Sequence, residues 1–241
     1  MQSSLYVSLS SQVAIARRLD TVARNVANMN TAGYRADEIK FSEVLSKKGP
    51  DPVSFANGGE TYISRQHGGL TKTDNPLDIA IDGDGWLAVR TTSGIAYTRD
   101  GRMQMGTDGM LRSVNNYPVL DSGGLPIMLD PEAGSPTITA DGAVYQGENR
   151  LGDVGLFTIA SDARLTRYDN SAVIPDKPAT PVLEFSENGF AQGYTEGSNV
   201  NPIREMTKMI ELTRTFESIS KMIDSGADNQ QQAIRELGET S

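Results

Sequence analysis

The stretch with the most obvious chemical potential is Gly83-Asp84-Gly85-Trp86-Leu87-Ala88, a G-x-G-x-x-A match of the kind that cradles a pyrophosphate. That chemistry needs a helix N-terminus directly after the glycines, and the residues that follow, WLAVRT, read as a strand. The match is therefore read as turn chemistry. Asp82 and Asp84 open a calcium-loop spacing, but its fifth position falls on Trp86 and its twelfth on Ser93, neither of which replaces a carboxylate ligand. His67 is the only histidine, so a zinc site built on two histidines cannot form within one chain. No G-x-S-x-G occurs, and any Ser-His-acid triad would have to use His67. Acidic residues are plentiful, yet nothing selects a pair for glycoside hydrolysis. Trp86 and Tyr97 read as core or hairpin-face aromatics. No catalytic residue, metal or cofactor is expected.

Composition narrows the partners. The 241 residues carry 31 acidic against 22 basic side chains, a net charge of -9 that repels phosphate and argues against nucleic acid as a partner. No run of about 18 apolar residues occurs, so no membrane-spanning segment is expected. With no cysteine, disulfides and thiolate metal sites are excluded. The start, MQSSLYVSLSSQVAIARRL, fails as a secretory signal because its arginines follow the apolar stretch; its composition is nearer that of a transit peptide.

The elements that would position any site come in three kinds. Ile15, Leu19, Val22, Val26 and Met29 recur at helical spacing, which predicts an N-terminal helix stopping at Gly33 within residues 1–33. Residues 34–75, punctuated by Gly49-Pro50-Asp51-Pro52, Asn57-Gly58-Gly59 and His67-Gly68-Gly69, read as an irregular arm. Residues 76–192 read as a β-rich unit whose tight hairpins are turned by Asp82-Gly83, Asp84-Gly85, Asp100-Gly101, Asp108-Gly109 and Asp141-Gly142. Within 193–241, Asn201-Pro202 supplies a cap and first helical residue. Met209, Leu212, Phe216, Ile219 and Ile223 then form an apolar stripe that Ala227, Ile234 and Leu237 extend, for a helix of about 35 residues that Gly226 could break. The expected fold class is thus α+β, an all-β centre flanked by long terminal helices.

The last helix has more apolar surface than one partner helix can cover, because Ile203, Met206 and Ile210 widen its stripe. Burying a side chain of that size is worth about 1.5–3 kcal/mol, so the excess favours cover from other chains.

Three segments carry a resemblance. RLDTVARNVANMNTAGYR, the central NPLDIAIDGDGWLAV with YTRDGRMQM, and EGSNVNPIREMTKMIELTRTFESISKMI resemble, in this order, the bacterial flagellar basal-body rod protein family. Arg24 and Thr213 stand where many relatives carry asparagine and glutamine. The resemblance implies that the terminal helices pair in an inner helical tube, that the 34–75 arm bridges subunits and that the β-rich unit lies outside. It implies a non-enzymatic subunit of the proximal rod, with subunit contacts at Leu19, Val22, Asn25, Val26, Asn28 and Asn30 near the start. Near the end the implied contacts are Ser198, Asn199, Val200, Ile203, Met206, Met209, Ile210, Leu212, Arg214, Phe216, Ile219 and Ile223.

Implied partners are other copies of the chain, the proximal-rod proteins FlgB and FlgC, the distal-rod protein FlgG and the flagellar export apparatus, which takes such subunits without a cleaved signal. The implied location is the periplasmic part of the basal body. A distal-rod subunit is the alternative within the family; a secreted β-rich carbohydrate hydrolase is the alternative from another class.

Overall fold

The computed structural model describes residues 2–40, 43–46, 53–56, 59–186 and 188–239. Gly49-Pro50-Asp51-Pro52 and Asn57-Gly58 lie outside the described residues, as do the side chains of Ala227, Ile234 and Leu237. The fold is α+β, mostly short antiparallel strands, with one long helix near each end. The chain divides into two units. One comprises Met1–Ala27, Asp37–Tyr62 and Asn201–Ser241; the other comprises Asn28–Ala36 and Ile63–Val200.

The first unit is built on helix α1, Gln2–Ala27, packed against helix α2, Pro202–Glu239. Ala14 and Val22 of α1 and Leu212 of α2 are buried there. The N-cap is where its chemistry places it: Asn201 Oδ1 accepts from Arg204 N at 3.0 Å, and Asn201 O accepts from Glu205 N at 3.0 Å. The helix runs unbroken through Gly226 over 38 residues. Strands Asp37–Lys40 and Glu60–Ile63 pair, and Glu43–Ser46 pairs antiparallel with Val53–Ala56, so strands run through much of the stretch expected to be an irregular arm.

Helix α1 ends at Ala27, well short of Gly33. Gly33 is left-handed, with φ 66°, but it belongs to the tight turns after the helix, where its N–H donates to Glu196 O at 2.8 Å. A Cβ there would lie 2.2 Å from Asp100 N, so the residue is selected by close backbone approach as well as by φ.

The second unit centres on a six-stranded antiparallel sheet in the order Leu165–Arg167, Ala172–Pro175, Gly94–Thr98, Trp86–Thr91, Leu156–Thr158, Thr180–Pro181. Both its faces are buried. Leu87, Val89, Ala96, Leu156 and Ala172 enter one core, while Trp86, Ala88, Tyr97, Phe157 and Val173 enter the other. Alternate side chains of one strand thus serve two cores, which is why WLAVRT is apolar almost throughout.

The Asp-Gly pairs do not all close hairpins. Asp108-Gly109 lies between the paired strands Met103–Met105 and Leu111–Ser113, and Asp141-Gly142 between Thr137–Ile138 and Ala143–Gln146. Asp82-Gly83, Asp84-Gly85 and Asp100-Gly101 instead carry the chain from one sheet to another. The Trp86–Thr91 and Gly94–Thr98 hairpin is turned by Thr92-Ser93. An Asp-Gly pair supplies positive φ wherever a sharp change of direction is needed, and pairing of the flanking strands is a separate, non-local matter. Gly101 does not need a positive φ at all: its O accepts from Ile79 N at 3.0 Å, and an added Cβ would stand 1.7 Å from Ile79 O. Gly101→Ala is expected to lose at least about 3 kcal/mol, because backbone, not a side-chain tip, is in the way. Urea unfolding checks this; a midpoint within error of the parent would show that the approach of the two segments relaxes freely.

Candidate assembly interface

Within the first unit a buried polar clasp joins α1, the strand Asp37–Lys40 and α2. Asn25 Nδ2 donates to Asp37 O at 2.9 Å and to Glu205 Oε2 at 3.3 Å, while Asn25 Oδ1 accepts from Asp37 N at 2.9 Å. Asn25, Asp37 and Glu205 are all buried. Arg24 Nε adds an ion pair to Asp37 Oδ2 at 3.1 Å, and Lys208 Nζ one to Glu205 Oε1 at 2.5 Å. Glu205 sits in the first turn of α2, where the helix dipole favours an acid. A directional network of this kind fixes the register of two helices better than apolar contact alone, since a slip leaves buried groups unpaired.

The structure sorts the expected contact residues into three sets. Val22, Asn25, Val200 and Leu212 are buried within the chain. Leu19, Val26, Asn28, Ser198, Asn199, Phe216, Ile219 and Ile223 are half-buried. Asn30, Ile203, Met206, Met209, Ile210 and Arg214 are exposed.

Polar members are already engaged: Asn199 Oδ1 accepts from Ala36 N at 2.7 Å and its Nδ2 donates to Gln66 O at 2.9 Å, while Asn28 Oδ1 accepts from Thr31 Oγ1 at 3.2 Å. On α2, Glu205, Leu212, Phe216, Ile219 and Ile223 share the more buried side. Ile203, Met206 and Ile210, at i, i+3 and i+7, line another, with Ile203 80% and Ile210 55% exposed. Met209, expected in the inner stripe, is exposed as well. Leu9, Val13 and Met222 are further exposed apolar residues of the helices that periodicity did not single out. The acids and bases Glu211, Arg214, Glu217 and Lys221 are exposed.

The second unit holds an ion network whose members were not singled out individually. Glu196 is 1% exposed; its Oε1 meets Arg35 NH2 at 2.8 Å and Gly68 N at 2.9 Å, and its Oε2 meets Arg99 Nε at 2.6 Å. Arg99 NH1 donates to the carbonyl oxygens of Gly83 and Gly85 at 3.0 and 2.7 Å, and NH2 to Ile81 O at 3.2 Å. The G-x-G turn therefore cradles a guanidinium with its carbonyls, where a pyrophosphate site would present N–H groups. Burial lowers the Arg35 pKa to about 10, with Glu196 opposing the shift, so the group stays charged at neutral pH. A sequence signal did exist: Arg35, Arg99 and Glu196 sit in the segments GYR, YTRDGR and EGSNV that carry the resemblance.

One side of α2 packs against α1, its register fixed by the polar clasp, while an apolar row on another side is exposed in the single chain. No group of residues able to hold a metal occurs among the described residues, and no helix among them is long and apolar enough to cross a membrane. Three family models match: Flagella basal body rod protein over residues 5–35, Flagellar hook protein FlgE/F/G D1 domain over 80–146, and Flagellar basal body rod FlgEFG protein C-terminal over 191–236. Arg35, Arg99 and Glu196 come one from each matched segment.

The flagellar basal-body rod protein FlgF of Mesorhizobium japonicum is 46% identical over the whole of both chains, and that of Rhizobium meliloti 42% identical over 99% of each. The flagellar basal-body rod protein FlgG of Bacillus subtilis is 28% identical over 97% of this chain and 98% of its own. This chain belongs to the flagellar basal-body rod protein family, in its FlgF branch, with FlgG the neighbouring one.

Proposed function

We propose that the chain is a structural subunit of the proximal rod, assembling with helical symmetry through its terminal helices and transmitting torque across the periplasm. Membership of a family of structural rod proteins makes it a building block of the basal-body rod and not an enzyme. The observation that carries the assembly reading is the exposed row Ile203, Met206 and Ile210 on a helix already packed against α1. Each such side chain stabilises a contact by roughly 1.5–3 kcal/mol once covered, and helical addition repeats the contact at every subunit.

In this reading α1 and α2 line an inner tube, the β-rich unit lies outside, and residues 34–75 bridge neighbouring subunits. The residues sorted above are the contact set, with Asn25 and its clasp holding the helix pair in the geometry that neighbours meet. Partners are further copies of the chain, the proximal-rod proteins FlgB and FlgC, the distal-rod protein FlgG and the flagellar export apparatus. The -9 charge disfavours nucleic acid as a further partner.

Because the parent has no cysteine, Ile210→Cys places one unique thiol on the exposed face. Thiol cross-linking in isolated basal bodies should join it to proximal-rod subunits. Adducts confined to distal-rod proteins would overturn the proximal assignment, and no adduct at all would overturn the assembly face.

A further inference from the structure

Among the described residues the exposed methionines are Met105, Met128, Met206, Met209 and Met222, and the last three stand on α2. We propose that Met206 and Met209 are oxidation sites through which a peroxide controls assembly, sulfoxide formation in the free subunit blocking its addition to the rod. This rests on the reading of that side of α2 as a contact between subunits.

The chain has no cysteine, so its methionines hold its only sulfur atoms and no thiol takes the oxidant first. In the step, the thioether sulfur attacks one oxygen of hydrogen peroxide. An S–O bond forms as the O–O bond breaks, and the second oxygen leaves as water with both protons. Sulfur gives up two electrons, and the peroxide takes them. The oxidant must reach the sulfur, so Met103, buried in the β-rich unit, is spared.

Met206 lies between Ile203 and Ile210 in the exposed row, and Met209 flanks it one turn on. A flexible, polarizable thioether suits an apolar contact. A sulfoxide puts a strongly polar oxygen in the same place, and that oxygen must accept a hydrogen bond. Water meets the need in the free chain, so the subunit's own stability is unaffected. Under a covering neighbour water is excluded, and an unpaired acceptor there is costly. Thr213, four positions beyond Met209 on the same side, donates its hydroxyl to Met209 O at 2.8 Å and has no second proton to give. The loss therefore falls on addition.

Met105 and Met128 of the β-rich unit, 36% and 49% exposed, are as accessible as Met206 and Met209 at 43% and 38%, so they serve as internal references. The test is a competition within one cell. The parent chain is made together with a variant carrying Met206→Leu and Met209→Leu, which keeps size and apolarity. Their ratio in isolated basal bodies is read by mass spectrometry. Without peroxide the two should enter in the ratio in which they are made. A hydrogen peroxide pulse that oxidises most Met105 and Met128 of the unincorporated chain should shift the ratio at least about tenfold toward the variant. Damage elsewhere in the cell touches both chains alike.

An unshifted ratio overturns the proposal, and so does an unincorporated pool in which Met206 and Met209 stay unoxidised while Met105 and Met128 are oxidised. Met206→Gln, a polar side chain that needs no peroxide, separates this from the reading beneath it. Entry of Met206→Gln as readily as the parent would mean that the face is no contact, and that reading fails. Exclusion of Met206→Gln together with an unshifted peroxide ratio overturns the oxidation proposal alone.

Discussion

Glu196→Gln is expected to destabilise the β-rich unit by about 3–5 kcal/mol, the usual loss when one partner of a buried ion pair is removed. The carboxylate is the single anion between two guanidiniums that are almost fully buried, and it also takes the Gly68 N–H. Glutamine keeps the shape and one oxygen but cannot balance either charge, and its amide would point two donors at donors. Arg99 would then hold its backbone carbonyls without its ion-pair partner, and Arg35, already short of acceptors, would lose the carboxylate it pairs with. The midpoint of thermal unfolding should fall by roughly 10 °C for a unit of this size.

Destabilisation should not add when Glu196→Gln is combined with Arg35→Gln, since removing the second charge relieves part of the first defect; a coupling of about 0.5–3 kcal/mol is expected. A loss below about 1 kcal/mol for Glu196→Gln alone would show that the carboxylate is not the hub of the network. The network ties together three segments far apart in the chain, so its loss should also loosen the turns at Gly68 and Gly83 before the six-stranded sheet unfolds. Hydrogen exchange would show that order as earlier labelling at those turns.

Removing residues 203–223 should abolish rod formation and swimming while leaving the β-rich unit folded, because that unit has two cores of its own, none of whose described residues comes from α2. The sharper version is Met206→Lys with Ile210→Lys. Both side chains are exposed in the single chain, at 43% and 55%, so its stability should change little. If neighbours cover them, each substitution forfeits about 1.5–3 kcal/mol per contact, and the pair should weaken subunit addition roughly a hundredfold or more. Swimming in soft agar and rod length in isolated basal bodies read this directly. Normal motility of the double variant would mean that the face is not a contact. Unfolding of the free chain would mean that the two side chains support the helix pair instead.

Local pattern was enough for the helices. The stripe Leu212, Phe216, Ile219 and Ile223 and the cap at Asn201 predict α2, because helical periodicity and capping involve residues within four positions of one another. The same holds for the strand Trp86–Thr91, which disposed of the nucleotide reading of Gly83 to Ala88. The family, too, was legible, since its three segments are short and ordered.

What only the folded chain decided is non-local. Periodicity put Met209 in the same stripe as Leu212, but which side of α2 meets α1 depends on the clasp Asn25, Asp37 and Glu205, whose members come from three separate stretches. The Asp-Gly pairs announced sharp turns without saying which strands would pair across them. Arg35, Arg99 and Glu196 carry no local sign of burial, because a charged residue is expected in water unless a partner is at hand, and the partners here lie more than sixty positions away in sequence. Sequence therefore determined the elements, whose forces act along the chain. Tertiary structure decided the pairings, since a buried charge or amide is placed by whatever distant group can satisfy it.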